Sequence, residues 1–412
     1  MRTKFKGIFK WLSPGIGIKR WVGLAFISVC LIIIGSLLLR SEEYWIANVL
    51  DVILVISGIV VLVLSIVRLL RSLIAAFIPS AKNIEFLDIL YQKKQLGRGP
   101  KVVTIGGGTG LSVLLSGLKE YTSNLTAIVT VADDGGSSGR LRQEFDILPP
   151  GDIRNCLVAL ADAPALMRDL FQFRFDTNSE LSGHSFGNLF ITVMTRLTGD
   201  FEKAIKETSK VLALKGQVIP STLNNVVLVA YHEDGTITEG EDNIPKAHRP
   251  IKRVMLKPEE PLATPEAIKA IEEAEVIVFG PGSLYTSILP NLLIKEIRDA
   301  VVASEAVKAY VCNVMTQPGE TDGFRVSDHI KTLVNHSHPR ILDYCIINTA
   351  EMPASTLKRY AEKNSYMVVN DTRNIEKLGY RVVESDVIIS DDVIRHDNLK
   401  LAQVILGLLQ EV

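Results

Sequence analysis

Residues 101–112 read Lys-Val-Val-Thr-Ile-Gly-Gly-Gly-Thr-Gly-Leu-Ser. Val102 to Ile105 form a short apolar, β-branched run. Three glycines follow at once, and Leu111, Leu114, Leu115 and Leu118 then recur at helical spacing. A strand that turns through glycine into a helix is a βα unit, which commits the chain to helices layered on parallel strands. The same geometry aims backbone N–H groups and a helix N-terminus at one point, a place that suits a phosphate. The turn is not a Walker A loop, because no Gly-Lys-Ser/Thr follows. It is not a full dinucleotide fingerprint either, because Leu111 stands where the last glycine of that motif would fall.

The rest of the C-terminal three quarters repeats this alternation. Strand-like runs cover 102–105, 125–132, 226–231, 251–256, 275–279, 308–314, 342–348 and 381–389, with helical patterns between them. The expected fold is α/β, with a mainly parallel sheet. Residues from about 140 to 215 have little strand character and are the expected helical insertion. Asp234-Gly235 between β-prone runs predicts a small antiparallel hairpin.

The N-terminus differs in kind. Trp21 to Leu39 is an uncharged run of 19 residues, and Val52 to Val67 is a second apolar run, continued past Arg68. Crossing a bilayer takes about 20 apolar residues, so two transmembrane helices are expected, at about 21–39 and 49–70. Arg2, Lys4, Lys6, Lys10, Lys19 and Arg20 precede the first. Arg68, Arg71, Lys82, Lys93, Lys94 and Arg98 follow the start of the second, while the loop carries Glu42, Glu43 and Asp51. Basic flanks and an acidic loop place both flanks in the cytoplasm. A cleaved signal peptide fits less well, because a second span follows. The expected organisation is a two-pass membrane anchor over 1–80, a linker over 81–100 and a cytoplasmic α/β domain over 101–412.

Lys and Arg number 45 against 46 Asp and Glu, so nothing marks a nucleic-acid binder. Cys30, Cys156, Cys312 and Cys345 fit neither a zinc site nor a disulfide framework, and are expected as unpaired thiols. His336 and His338 read as part of an exposed loop.

Several polar loops could carry chemistry. Gly106, Gly107, Gly108, Thr109 and Gly110 form the first. Asp133-Asp134, followed by Gly-Gly-Ser-Ser-Gly, end the 125–132 strand, where a carboxylate can hold a ribose or Mg²⁺; a solvated turn is the alternative. Asp152, Arg154 and Asn155 enter one helix. His184, Ser185 and Asn188 enter another, where a ligand contact competes with a capping role. Gly280-Pro-Gly282-Ser283-Leu-Tyr285-Thr286-Ser287 repeats the strand, glycine turn and helix of the opening stretch. Asn313, Thr316 and Gln317 follow the next strand.

Together, Gly106–Gly110, Asp133–Gly139, Pro150–Arg154, Gly183–Leu189, Gly280–Ser287 and Asn313–Thr321 resemble the YvcK/GlmR gluconeogenesis-factor family of the CofD-like superfamily. The resemblance covers about 101–412; the N-terminal hairpin lies outside its usual pattern. It implies a Rossmann-like fold and a regulatory protein that binds UDP-sugars, UDP-N-acetylglucosamine in particular, and supports cell shape and wall-precursor supply during gluconeogenic growth. It implies Tyr285 as a uridine or sugar contact and Thr109 as a nucleotide-site residue. No required cofactor is expected. The expected partners are a UDP-sugar, the membrane, a regulated enzyme of amino-sugar or cell-wall metabolism and further copies of the chain. The CofD branch implies the alternative, a 2-phospho-L-lactate transferase-type enzyme with Mg²⁺ on Asp133 and Asp134. A NAD-type oxidoreductase is disfavoured by the broken fingerprint.

Overall fold

The computed structural model describes residues 18–39, 45–77, 94–176, 180–390 and 394–410. The chain divides into two compact units, Met1–Lys94 and Gln95–Val412. Residues 81–93 of the expected linker lie outside the described residues.

The first unit holds two helices, α1 (Ile18–Leu38) and α2 (Trp45–Phe77). Arg20–Leu38 and Asn48–Leu69 within them are long and apolar enough to cross a membrane, by length and composition. They pack closely where side chains are smallest. A Cβ on Gly35 would come within 2.8 Å of Val55, and one on Gly58 within 2.8 Å of Ile32. Most of their remaining apolar surface is exposed, including Phe26, Ile53 and Leu64. The Arg68 guanidinium lies 5.0 Å from the Trp21 ring centre.

The second unit is built on a seven-stranded, wholly parallel sheet. Its strands are β1 (Val102–Gly106), β2 (Leu125–Val129), β3 (Gln217–Pro220), β7 (Val276–Phe279), β8 (Val307–Val311), β9 (Tyr344–Asn348) and β10 (Arg381–Ser385). Their order is β10-β9-β8-β7-β1-β2-β3. Val102, Ile105, Ile128, Val276, Ile277 and Ile346 are at most 2% exposed. Strands covered by helices on both faces are apolar throughout, which is why they read as unbroken runs rather than alternating ones. β3 was not among the expected strands. It is four residues long and ends on Pro220, which only an edge position accommodates easily.

β4 (Val227–His232), β5 (Ile237–Glu239) and β6 (Ile251–Lys257) form a separate antiparallel sheet, with Asp234-Gly235 turning between β4 and β5 as expected. The helical insertion is also present, as α4 (Gly136–Phe145), α5 (Gly151–Leu160), α6 (Ala165–Gln172), α7 (Phe186–Thr198) and α8 (Phe201–Val211). α3 (Gly108–Leu118) follows β1 directly. Leu111, Leu114, Leu115 and Leu118 are completely buried on one of its faces, each stabilising the fold by roughly 1.5–3 kcal/mol.

The expected strand at 381–389 divides. After β10 the chain leaves the large sheet, and β11 (Ile388–Ser390) pairs antiparallel with β12 (Ile394–His396). His336 is not in an exposed loop. It is partly buried at the end of the Val326–Asn335 helix, where Nε2 accepts from the Val254 amide at 3.1 Å. All four cysteines are unpaired; Cys30 is half-buried and the others are buried.

Candidate functional site

From β1 the chain moves outward through β2 and β3, then returns to the other side of β1 and continues outward through β7, β8, β9 and β10. Such a reversal opens a crevice beyond the carboxyl ends of the two strands that flank it, where ligands of open α/β sheets bind. The strands here are β1 and β7. Both end in the glycine turns singled out in the sequence, Gly106–Gly110 and Gly280–Ser287.

The two turns lie against each other. A Cβ on Gly110 would sit 2.5 Å from the Pro281 carbonyl oxygen, and one on Gly282 would sit 3.3 Å from that of Gly107. Glycine is needed for this approach, since any side chain would push backbone against backbone. Asn291 lies completely buried beneath both turns. Its Nδ2 donates to the Ser287 carbonyl at 2.8 Å and the Gly106 carbonyl at 3.3 Å. Gly107, the residue before α3, has no side chain to cap the helix. The opening amides of α3 therefore face the crevice, apart from that of Gly108, which donates to Asp152.

The second turn is held in shape by side chains. Ser283 Oγ accepts from the Thr286 amide at 3.2 Å and from Thr286 Oγ1 at 2.7 Å, and donates to Glu320. Asn313, beyond β8, grips both sides of Gly282. Its Oδ1 accepts from the Gly282 amide at 3.3 Å and its Nδ2 donates to the Gly282 carbonyl at 2.8 Å.

The resulting cleft has a volume of about 970 Å³. Gly107, Gly108, Thr109, Gly110, Gly282, Ser283, Thr286 and Asn313 line it, so the structure brings these sequence candidates together. Gly106 and Gly280 belong to the same turns but do not line the cleft. Lys119, just past the end of α3, and Arg168 of α6 bring positive charge to it, and Tyr360, Arg395 and His396 line it as well.

Carboxyl groups converge beside the turns. Burial raises Asp133, although the Gly135 amide, donating at 2.9 Å, opposes that shift. Burial, then the neighbouring Asp133 charge, raises Asp152 to about 6 and Glu241 to about 8. Burial raises Glu320 to about 7 against its bond from Ser283. Glu241 comes from the turn after β5. That turn is docked by the Asp242 amide, which donates to Asp134 Oδ1 at 2.9 Å.

Other candidates stand elsewhere. Asp134 Oδ1 accepts from the Asp242 amide at 2.9 Å, and Asp133 Oδ1 accepts from the Gly135 amide of its own loop at 2.9 Å. Among the described residues no group of three or more His, Cys, Asp or Glu side chains is arranged to hold a metal ion. His184 and Asn188 do not line the cleft. Both bond Ser137 Oγ, at 2.9 and 3.0 Å, and Arg154 donates to Asn188 Oδ1 at 3.0 Å. They hold the start of α4, just after the Asp133 loop. Tyr285 also stands outside the cleft. It is 2% exposed, with its ring centre 6.0 Å from that of His336 and 6.3 Å from that of Phe324, and it borders a second cavity of about 550 Å³.

Glu241, Tyr360, Arg395 and His396 were not among the sequence candidates for the site; Asp152 stood among them as a helix-entry acid, and Glu320 lay within the Asn313–Thr321 segment without being singled out.

The profile of the family described as 2-phospho-L-lactate transferase CofD matches residues 102–388. A Nostoc protein provisionally named a gluconeogenesis factor is 47% identical over 419 residues, covering 97% of this chain and 92% of its own length. The Bacillus subtilis gluconeogenesis factor is 48% identical over 317 residues, 77% of this chain and 100% of that protein. A crystal structure of a UPF0052-family protein from Bacillus halodurans matches with a TM-score of 0.73 and 48% identity, over 75% of this chain and 99% of that one.

Proposed function

This chain belongs to the CofD family, among relatives that bear the name gluconeogenesis factor, and from that premise we propose that its cleft binds a UDP-sugar, UDP-N-acetylglucosamine in particular, for sensing rather than turnover. The observation that carries this reading is the contact of two glycine turns at the sheet's reversal point. Amides from both, and the start of α3, can address the two phosphates of one diphosphate. A cleft of about 970 Å³ suits a nucleotide sugar. Lys119, Arg168 and Arg395 supply cations, while Tyr360 offers a ring on which a base can stack.

In this reading, ligand occupancy alters a surface recognised by an enzyme of amino-sugar or cell-wall metabolism, and so adjusts precursor supply and cell shape during gluconeogenic growth. The ligand can do so only through different affinities for two states of the protein. The α1–α2 hairpin crosses the cell membrane twice, with the N-terminus and the α/β unit in the cytoplasm, because basic residues flank both spans. Calorimetric titration with UDP-N-acetylglucosamine tests the ligand; absence of binding at millimolar concentration rejects it.

A second reading is a phospholactate-type transferase acting on a nucleotide-activated donor. The family profile and the position of Asp133 beside Asp152 and Glu241 favour it. Incubation with activated phospholactate and a deazaflavin acceptor separates the readings; Mg²⁺-dependent product would establish turnover.

A further inference from the structure

The cavity of about 550 Å³ beside the Gly280–Ser287 turn has the size of a small-molecule site. Among the described residues, Glu320 alone lines both it and the cleft. Its floor is aromatic and apolar. Phe324 and His336 pack against Tyr285 with ring centres 6.3 and 6.0 Å away, and Pro250 and Ile251 line the same space. Phe324 and His336 are only half-buried, so their rings keep surface for an occupant. His336 offers that occupant neither a charge nor a free nitrogen. Nδ1 donates to the Thr332 carbonyl at 2.8 Å, Nε2 accepts from the Val254 amide at 3.1 Å, and burial lowers the pKa of the ring.

The mouth of the cavity carries both signs of charge. Two of its cations are engaged, Arg249 with Asp234 at 3.0 Å and Lys331 with Asp328 at 3.0 Å. Asp322 accepts from the Gly319 amide at 2.7 Å. Glu233 and Lys252 remain. Both are exposed, both line the cavity, and neither side chain has an ion pair or hydrogen bond among the described residues. They stand on adjoining segments, since the Glu233 amide donates to the Pro250 carbonyl at 3.1 Å, two residues before Lys252. The Glu233 charge also acts on the Tyr285 hydroxyl, which places the carboxylate within electrostatic reach of the floor. A purely anionic ligand would meet Glu233 and Asp322, and a purely cationic one would meet Lys252. A ligand with one charge of each sign satisfies both free side chains, and an apolar group on it covers the floor.

We propose that this cavity is a second binding site, one that takes an α-amino acid with an apolar side chain. Its ammonium meets Glu233, its carboxylate meets Lys252, and its side chain rests on Phe324 and His336. These contacts lie outside the cleft, so the inference stands or falls apart from the nucleotide-sugar reading.

The test is calorimetry and saturation-transfer NMR on the full-length protein with L-phenylalanine and L-leucine. Three compounds each lack one feature: glycine the side chain, 3-phenylpropionate the ammonium, and phenylalaninamide the carboxylate. Both amino acids should bind saturably at millimolar concentration, and each of the three compounds roughly tenfold more weakly than L-phenylalanine. Glu233→Gln and Lys252→Met, both at exposed positions, should keep the melting temperature and each weaken L-phenylalanine by roughly tenfold. Saturating UDP-N-acetylglucosamine should leave L-phenylalanine bound. Absence of saturable binding by both amino acids overturns the inference. So does equal binding of 3-phenylpropionate or phenylalaninamide, or unchanged affinity in both variants. Displacement of L-phenylalanine by UDP-N-acetylglucosamine would place it in the cleft and overturn the second site. Failure of UDP-N-acetylglucosamine itself to bind rejects the nucleotide-sugar reading and leaves the amino-acid result to stand by itself.

Discussion

Gly110→Ala probes the contact between the two turns directly. The new methyl carbon would lie 2.5 Å from the Pro281 oxygen, 2.8 Å from its carbonyl carbon and 3.2 Å from the Gly282 nitrogen. Ordinary contact begins near 3.4 Å, so the turns must separate by about 0.9 Å. Neither side yields easily. Gly110 belongs to α3, anchored by four buried leucines, and Gly282 is held on both sides by Asn313. Overpacking of this kind costs about 1–3 kcal/mol of stability. A separation approaching 1 Å also removes one turn from a diphosphate gripped by both. Hydrogen bonds to charged groups contribute about 1.5–3 kcal/mol each, so loss of one or two should weaken UDP-N-acetylglucosamine binding by at least roughly tenfold, and by more than 100-fold if both go. Calorimetry well below the melting temperature isolates the binding effect, and thermal denaturation reads the stability effect. Gly407→Ala is the control, since nothing lies within 4 Å of its added methyl; there helix propensity predicts neutrality or a slight gain. A Gly110→Ala protein with wild-type affinity and wild-type melting temperature would refute the two-turn grip.

Asn313→Ala removes both bonds to the Gly282 peptide; affinity should fall by roughly tenfold, with little change in melting temperature, and unchanged affinity would show that Gly282 needs no such support. Glu241 holds its proton more tightly folded than unfolded, because burial raises it from 4.5 to about 8. Its effect is therefore absent below about pH 4.5, and stability is progressively lost as pH rises towards about 8. Glu241→Gln should flatten that loss, matching wild type in acid and exceeding it above about pH 8 by an amount on the order of a few kcal/mol; identical pH profiles in thermal melts would discount the buried acid. Full-length protein should fractionate with membranes, and a chain beginning at Gln95 should be soluble, fold cooperatively and bind the same ligand; full-length protein found wholly in the soluble fraction removes the membrane anchor.

What could be read from the residues alone followed from periodicity and from turns whose chemistry is local. Val102–Ile105 and Val276–Phe279 are unbroken apolar runs because both sheet faces are covered, and each passes at once into glycine. Strand, turn and helix were therefore visible at both walls of the cleft. Their adjacency was not, because it depends on the chain returning past β1 after more than 150 residues. Side-chain direction was also hidden. Asp133 and Asp134 look like a pair in sequence, but Asp134 accepts from the Asp242 amide while the Asp133 charge acts on Asp152 and Glu241. Tyr285 sits in the correct turn yet borders the second cavity, where its ring packs against those of Phe324 and His336. The wall at Arg395 and His396 lay furthest from sequence reasoning. Three-residue strands carry too little periodicity to register, and what places them at the cleft is a departure from the main sheet after Ser385 that no local residue dictates. Glycine positions thus identify where a phosphate can be held. The residues that complete the cleft opposite those turns, Tyr360, Arg395 and His396, come from short segments distant in sequence, and their place follows only from the fold.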